Sequence, residues 1–475
     1  MKSSMLSSPS KTSTFPLPKL LALILFTCIL LYFLTSLTMV LTSSSCSNFM
    51  YSSRLSSPFP VGDIVFGLAS TRTSWARQKE YLKLWWKPEE MRGCVFVDTL
   101  PTDHNNGSVD PGLPEVRVSE DTSQFRYTHK HGYRSLIRVA RMITETVKLD
   151  YAEVKWYVFG DGDTVFMTDN LVKVLSKYNH ELWYYVGTNS EIMEQNGANS
   201  FEMGFWGAGF AISAPLAKVL AKVFDSCLER YHHLYGSDSR IYSCLAELGV
   251  GLTHEPGFHQ MDIRGNIFGL LAAHPLAPLV SLSRLSEVEP IFPNMTAINA
   301  AQHLFKAVVI DSERMLQQTV CYDRWFSWTI SVSWGYAVEV FDHHIYLPDT
   351  LRVQDTFSPW KKGAAEPKYS FSTRPLHPDP CRRSSIFFFD RIYARKNTIT
   401  SHYRRMTPEN CTFDPMASPK KLQEIVVYSQ KSNLGPNQLW APRRQCCDVL
   451  PSSVGQKLEL HIRECGEDEL IRIHA

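Results

Sequence analysis

The sequence predicts an α/β protein. An open, mostly parallel sheet spans residues 61–293, a β-rich region follows over 294–475, and one transmembrane helix precedes both. Three observations lead there. Short apolar runs alternate with segments of helical periodicity, the pattern of a parallel sheet flanked by helices. Two of those runs end on acids, Asp98 in one and Asp161 with Asp163 in the other, and open sheets of this kind bind ligands beyond the carboxyl ends of their strands. After Pro293 the alternation gives way to strand-like patterns, and no internal repeat is visible.

The N-terminus comes first. From Leu20 to Leu41 the chain reads "LLALILFTCILLYFLTSLTMVL" without a charge, and about 20 apolar residues suffice to cross a bilayer. Lys2, Lys11 and Lys19 precede this run, and the first acidic residue is Asp63, so the positive-inside rule puts the N-terminus in the cytoplasm. The expected order is a cytoplasmic tail (1–19), a signal anchor (20–41), a Ser-rich stem (42–60) and a lumenal remainder. A cleaved signal peptide, with "TSSSCS" as the cleavage region, is the alternative.

Strands are expected at "DIVFGLAS" (63–70), "GCVFVD" (93–98), "KWYVFGDGDTVF" (155–166) and "LWYYVGT" (182–188). Between them, Ser74–Trp86 reads as a helix stopped by Pro88. Leu136, Ala140, Ile143 and Val147 mark one helical face, and Leu171, Val174, Leu175 and Tyr178 another, with Asp169 as its cap. Ser213-Ala-Pro opens a long helix with Leu216, Val219, Leu220, Val223 and Cys227 inward. Asp238–Leu248 is a shorter helix closed by Gly249. In the C-terminal region, "FSWTISVSWGYAVEVF" alternates as strands do, and "KLELHIREC" and "LIRIHA" predict two more.

Composition is that of a globular protein, 44% hydrophobic and 20% charged, and 475 residues suggest more than one domain. Lys and Arg number 49 against 47 Asp and Glu, which leaves no electrostatic footprint for nucleic acid. Outside the membrane span there are ten cysteines and no C-x-x-C pair, a pattern of disulfides in an oxidising compartment rather than a zinc ribbon. Asn106, Asn294 and Asn410 head glycosylation sequons.

The chemistry centres on Asp161-Gly-Asp163. Two carboxylates at i and i+2 of an extended chain point the same way and can share a hard cation, Mn²⁺ or Mg²⁺, against a sugar nucleotide's phosphates. Gly160 and Gly162 let the backbone turn. Read as "WYVFGDGDTV", the same residues also fit the nucleophile motif of haloacid-dehalogenase-like phosphatases, with Asp161 as nucleophile and Asp163 as general acid.

"WYVFGDGDTVF", "GFWGAGFAIS" (204–213) and "YGSDSRIYSCLAELGVGLTHEPGFHQMD" (235–262), in this order, resemble Fringe-type glycosyltransferases of family 31 over roughly 63–293. The nearest likeness is the plant Fringe-related family of unknown function, and this chain's tail "RRQCCDVLP" (443–451) resembles that plant group alone. The resemblance implies a GT-A fold with a Rossmann-like sheet, a UDP-sugar donor, a divalent metal and inverting transfer, of β-1,3 type, to a glycan or glycoprotein in the Golgi. It implies Asp163 as the principal metal ligand beside Asp161, and His259 as the third. Donor contacts fall to Thr71, Arg72, Asp98 and the small-residue turn Gly207, Ala208 and Gly209, where side chains would fill the sugar's space. Asp238 would be the catalytic base, although Asp near a helix start is also favoured as a cap.

Three segments depart from the pattern. Gly162 occupies the middle of the acidic triplet. Met261 stands where the related segment has a second histidine, with Asp262 or His274 as substitute ligands. Ser283 and Arg284 replace a histidine pair. A non-catalytic glycan-binding relative is therefore the third reading.

Overall fold

The computed structural model describes residue 22 and residues 25–36, 59–101, 110–360, 367–406, 411–451 and 455–472. Residues 25–36 are helical and belong to an N-terminal unit, Met1–Leu55. Among the described residues no helix is long and apolar enough to cross a membrane, and the anchor expected at 20–41 lies partly outside them. So does nearly all of the stem at 42–60, as do Asn106 and Asn410.

Ser56–Ala475 form one compact unit built on two sheets. The first has seven strands in the order Glu115–Val118, Arg92–Val97, Ile64–Ala69, Trp156–Asp161, Phe210–Ser213, Tyr185–Gly187, Leu252–His254. The first four run parallel, Phe210–Ser213 runs against both its neighbours, and the last pair is parallel again. Ile64–Ala69 and Trp156–Asp161 are apolar nearly throughout because helices cover both faces. Ser135–Val147, Ala214–Arg230 and Ser237–Glu247 pack on one side, and Cys227–Cys244 ties the latter two together. Trp75–Trp85 and Thr168–Leu175 cover the other. The helix expected to be capped by Asp169 starts one residue earlier, at Thr168, so Asp169 sits in its first turn.

The second sheet has eight strands, in the order Gln318–Tyr322, Thr329–Ser333, Ala337–Phe341, Ser385–Arg395, Thr398–Arg404, Glu424–Gln430, Lys457–Arg463, Cys446–Leu450. All neighbours are antiparallel except Glu424–Gln430 with Lys457–Arg463. Its two outermost strands are joined by Cys321–Cys447, so the sheet curls until its edges meet. Bringing the edges together in this way shields strands that would otherwise invite aggregation. Cys446–Cys465 and Cys381–Cys411 complete the disulfides among the described residues, and Cys94 is a buried free thiol.

The C-terminal region differs from expectation in two places. "LIRIHA" adds no strand over 470–472. Lys457–Arg463 pairs instead with Cys446–Leu450, where the Cys446–Cys465 bridge holds the hairpin. Ala297–Asp311 is a helix, capped by the Thr296 side chain, that buries Leu304, Phe305 and Val308. The two halves share one hydrophobic core and one short ladder, Ile263–Gly265 against Phe357–Pro359. That ladder carries Trp360 toward the first sheet.

Candidate active site

Register decides what meets at the sheet's carboxyl edge. Ala69 lies opposite both Phe96 and Asp161, so Ser70, Asp98 and Asp161 leave three adjacent strands at one level. There Ser70, Thr71, Ser74, Gln78, Arg138, Asp161, Asp163, Arg284 and Trp360 line a pocket of about 400 Å³. The turn after Asp161 is held from below, since the Gly162 amide donates to Ala69 O at 2.7 Å and the Asp161 amide to Thr164 Oγ1 at 2.9 Å.

Asp161 and Asp163 make no ion pair among the described residues. Burial, and then the adjacent Asp163 carboxylate, push the Asp161 carboxyl upward, and burial raises Asp163 too. Arg284 pulls both down without forming an ion pair with either, and two adjacent buried acids so placed are a donor set that fits a divalent cation. His259 does not join them. It is buried in a separate pocket of about 610 Å³ with Ser190 and Phe371, its Nδ1 3.8 Å from Glu191 Oε1. His274 is fully buried against it, with Nδ1 2.7 Å from Pro275 O, and Asp262 is taken by Arg284 and Ser190. Met261 is buried in the core. Among the described residues the sole three-ligand cluster is Cys446, Cys465 and Glu469, and its two cysteines form a disulfide.

The missing middle carboxylate at Gly162 has a steric reason. A Cβ there would meet Gln78 Oε1 at 2.9 Å, and that oxygen accepts from Ser70 Oγ at 2.7 Å. The Gly207–Gly209 turn is likewise set by packing. A Cβ on Gly207 would lie 2.7 Å from Gln260 Oε1, and Gly209, at φ +76°, has Phe166 within 2.6 Å. Gln260 receives the Ala208 amide at 2.8 Å and donates to Asp262 Oδ1 at 3.2 Å, while Thr164 Oγ1 donates to Gly207 O at 2.8 Å. The turn is thus wired to both acidic segments.

Asp238 lies in the first turn of Ser237–Glu247, but Gly236 holds the cap position. Its Oδ1 instead accepts the Trp206 amide at 2.9 Å, from the segment that leads into the Gly207–Gly209 turn. Burial pushes this carboxyl up to about 6, against the pull of the Trp206 bond and Arg284. Asp98 is exposed. Its Oδ1 accepts the Arg72 amide at 2.8 Å, and such amide bonds outweigh partial burial and hold the carboxyl below its ordinary value. Thr71 Oγ1 lies 2.8 Å from Ser74 Oγ, and Arg72 is exposed beside it. Asn294 is exposed, at φ 60°.

Gln260, Thr164 and Trp360 carry no sequence signal that would single them out. Trp360 arrives from nearly 200 residues beyond the acidic pair and stacks 3.9 Å from the Arg264 guanidinium.

A family model described as "Protein of unknown function, DUF604" matches residues 195–447, more than half of the chain. The chain belongs to the DUF604 family. A second model, described as Fringe-like, matches residues 108–269, which hold Asp161, Asp163, Asp238 and the Gly207–Gly209 turn. The DUF604 match takes in two strands of the first sheet, Phe210–Ser213 and Leu252–His254, and runs on through most of the curled second sheet to Cys447. No curated protein matches the chain. The Fringe-like match makes this DUF604 protein a relative of a glycosyltransferase family.

Proposed function

We propose that this DUF604 protein is a GT-A glycosyltransferase that moves a sugar from a UDP donor to a hydroxyl of a glycan or glycoprotein, with inversion. The observation that carries this reading is the meeting of Asp161 and Asp163, which lie within the Fringe-like match, with Ser70 and Thr71 in one pocket at the carboxyl edge of the parallel strands.

Asp161 and Asp163 would hold Mn²⁺ or Mg²⁺, which supplies charge neutralisation for a departing diphosphate. Asp238 acts as base. With Oδ1 fixed by the Trp206 amide, its other oxygen takes the proton of the acceptor hydroxyl as that oxygen attacks the anomeric carbon and the sugar–phosphate bond breaks. A carboxyl raised toward neutrality is a stronger base than an ordinary one and remains ionised above about pH 6. Thr71, Arg72 and Asp98 are assigned to the nucleotide and Gly207–Gly209 to the donor sugar.

The setting we propose is a type II Golgi membrane protein, with a signal anchor at 20–41, a stem at 42–60, a catalytic domain at 61–293 and its C-terminal partner at 294–475. Four disulfides and the exposed sequon at Asn294 support an oxidising, lumenal environment.

The test is calorimetric binding of UDP-sugars to the full-length protein with and without Mn²⁺. Mn²⁺-strengthened binding that Asp163→Ala weakens is expected. A folded protein that binds no UDP-sugar under either condition would overturn the transferase reading.

A further inference from the structure

Arg284 enters a cluster of four acids. Its Nη1 donates to Asp262 Oδ1 at 2.8 Å, and its charge is felt by Asp161, Asp163 and Asp238 as well. Neither Nε nor Nη2 has a protein hydrogen bond among the described residues, and the side chain, 29% exposed, lines the same pocket as the acidic pair. The backbone at Arg284 is left-handed, φ 49°, an uncommon conformation for a residue with a side chain and one that clusters at functional sites. Trp360 braces it from the C-terminal half. The guanidinium stands 5.3 Å from the Trp360 ring, and the Trp360 amide donates to Asp262 O at 3.0 Å.

The pocket's other arginine is already engaged. Arg138 gives Nη2 to Ser70 O at 3.0 Å, and Nη1 reaches Phe96 O and Ser119 Oγ. Arg77, close enough to influence Asp163, is paired with Glu287 at 3.4 Å and faces solvent. Arg284 is therefore the one cation lining this pocket, among the described residues, with a free fork. A guanidinium fork matches a phosphate with two parallel charge-assisted bonds.

We infer that Arg284 is a diphosphate-binding residue of the donor site, held in place by Asp262 and Trp360, and that it gives nucleotide binding a component independent of divalent metal. The assignment rests on the donor-site reading above. It deepens that reading by placing a fixed protein cation beside the acidic pair.

The test compares UDP with uridine, in EDTA and in Mn²⁺, on the full-length protein. Wild type is expected to bind UDP more tightly than uridine even in EDTA. Arg284→Ala should lower UDP affinity about 10- to 100-fold, the loss of charge-assisted hydrogen bonds, and leave uridine affinity unchanged. Unchanged uridine binding also reports an intact fold. Because alanine leaves Asp262 without its cation, Arg284→Lys is the second variant. It keeps the charge and loses the fork, and an intermediate UDP affinity is expected. UDP binding that is strong in Mn²⁺, no tighter than uridine in EDTA and insensitive to both variants would overturn the role of Arg284 and leave the donor site standing. No binding of UDP or uridine in any condition would overturn the donor site itself, and this assignment with it.

Discussion

The carboxylate of Asp238 accepts the backbone amide of Trp206 at 2.9 Å, across 32 residues of chain. An aspartate in a helix's first turn usually serves that helix. This one reaches away from its own helix to the buried segment that enters the Gly207–Gly209 turn, and the bond fixes one oxygen while leaving the other for chemistry. Replacing it with asparagine keeps the shape and removes the base. Asp238→Asn should lower kcat by about 10²- to 10⁴-fold with UDP-sugar affinity nearly unchanged. Turnover near the wild-type rate would remove Asp238 from the mechanism.

The same residue sets a pH profile. Burial raises its carboxyl to about 6, and a base works only when ionised. Below about pH 6 the rate should fall tenfold per pH unit. Above it the curve should flatten, and Asp238→Asn should abolish the step. A plateau that extends to pH 4 would mean that this carboxyl is not the titrating base.

Gly209 is constrained twice. Its φ of +76° disfavours any side chain, and a Cβ would lie 2.6 Å from Phe166 and 2.9 Å from Phe159 O. Gly209→Ala should cost about 2–4 kcal/mol in a denaturant titration, because the Phe159 carbonyl belongs to a central strand and cannot yield cheaply. A loss below about 0.5 kcal/mol would show that the turn relaxes.

Cys321 and Cys447 bind the two edges of the second sheet across 126 residues of chain. Replacing both with serine should destabilise the protein by about 2–5 kcal/mol, the range for a native disulfide. Thermal unfolding with and without reductant checks this, since the double variant should have lost part of the wild type's sensitivity to reduction.

Asn294 is exposed just ahead of the helix that Thr296 caps. Expressed in a eukaryotic host, the full-length protein should lose mobility on a gel through a glycan at this position, and Asn294→Gln should remove that increment. If endoglycosidase treatment leaves the wild-type and variant bands where they were, the lumenal assignment is wrong for this segment.

Three short strands of the first sheet, Glu115–Val118, Phe210–Ser213 and Leu252–His254, were not read from the sequence. Its other four strands, and the helices that cover it, were legible because burial on both faces forces unbroken apolar runs such as "VFGLA" and "WYVF", while half-buried helices need a 3.6-residue period. Asp161 and Asp163 stood out for the same reason, as charges at the end of such a run. His259 looked like a ligand from its place in a motif, but the chain buries it beside Glu191 and His274, because position along a loop does not fix which pocket a side chain enters. Helix Ala297–Asp311 was hidden within a region read as β-rich.

By itself the sequence determined the α/β alternation and the acidic pair at a strand's end, since each follows from local periodicity or local chemistry. Only the tertiary structure decided that Trp206 orients Asp238, that Gln260 wires the turn to Asp262, and that Trp360 braces Arg284. These contacts join residues from about 30 to about 80 positions apart, and strand order and packing, which no local pattern encodes, bring them together.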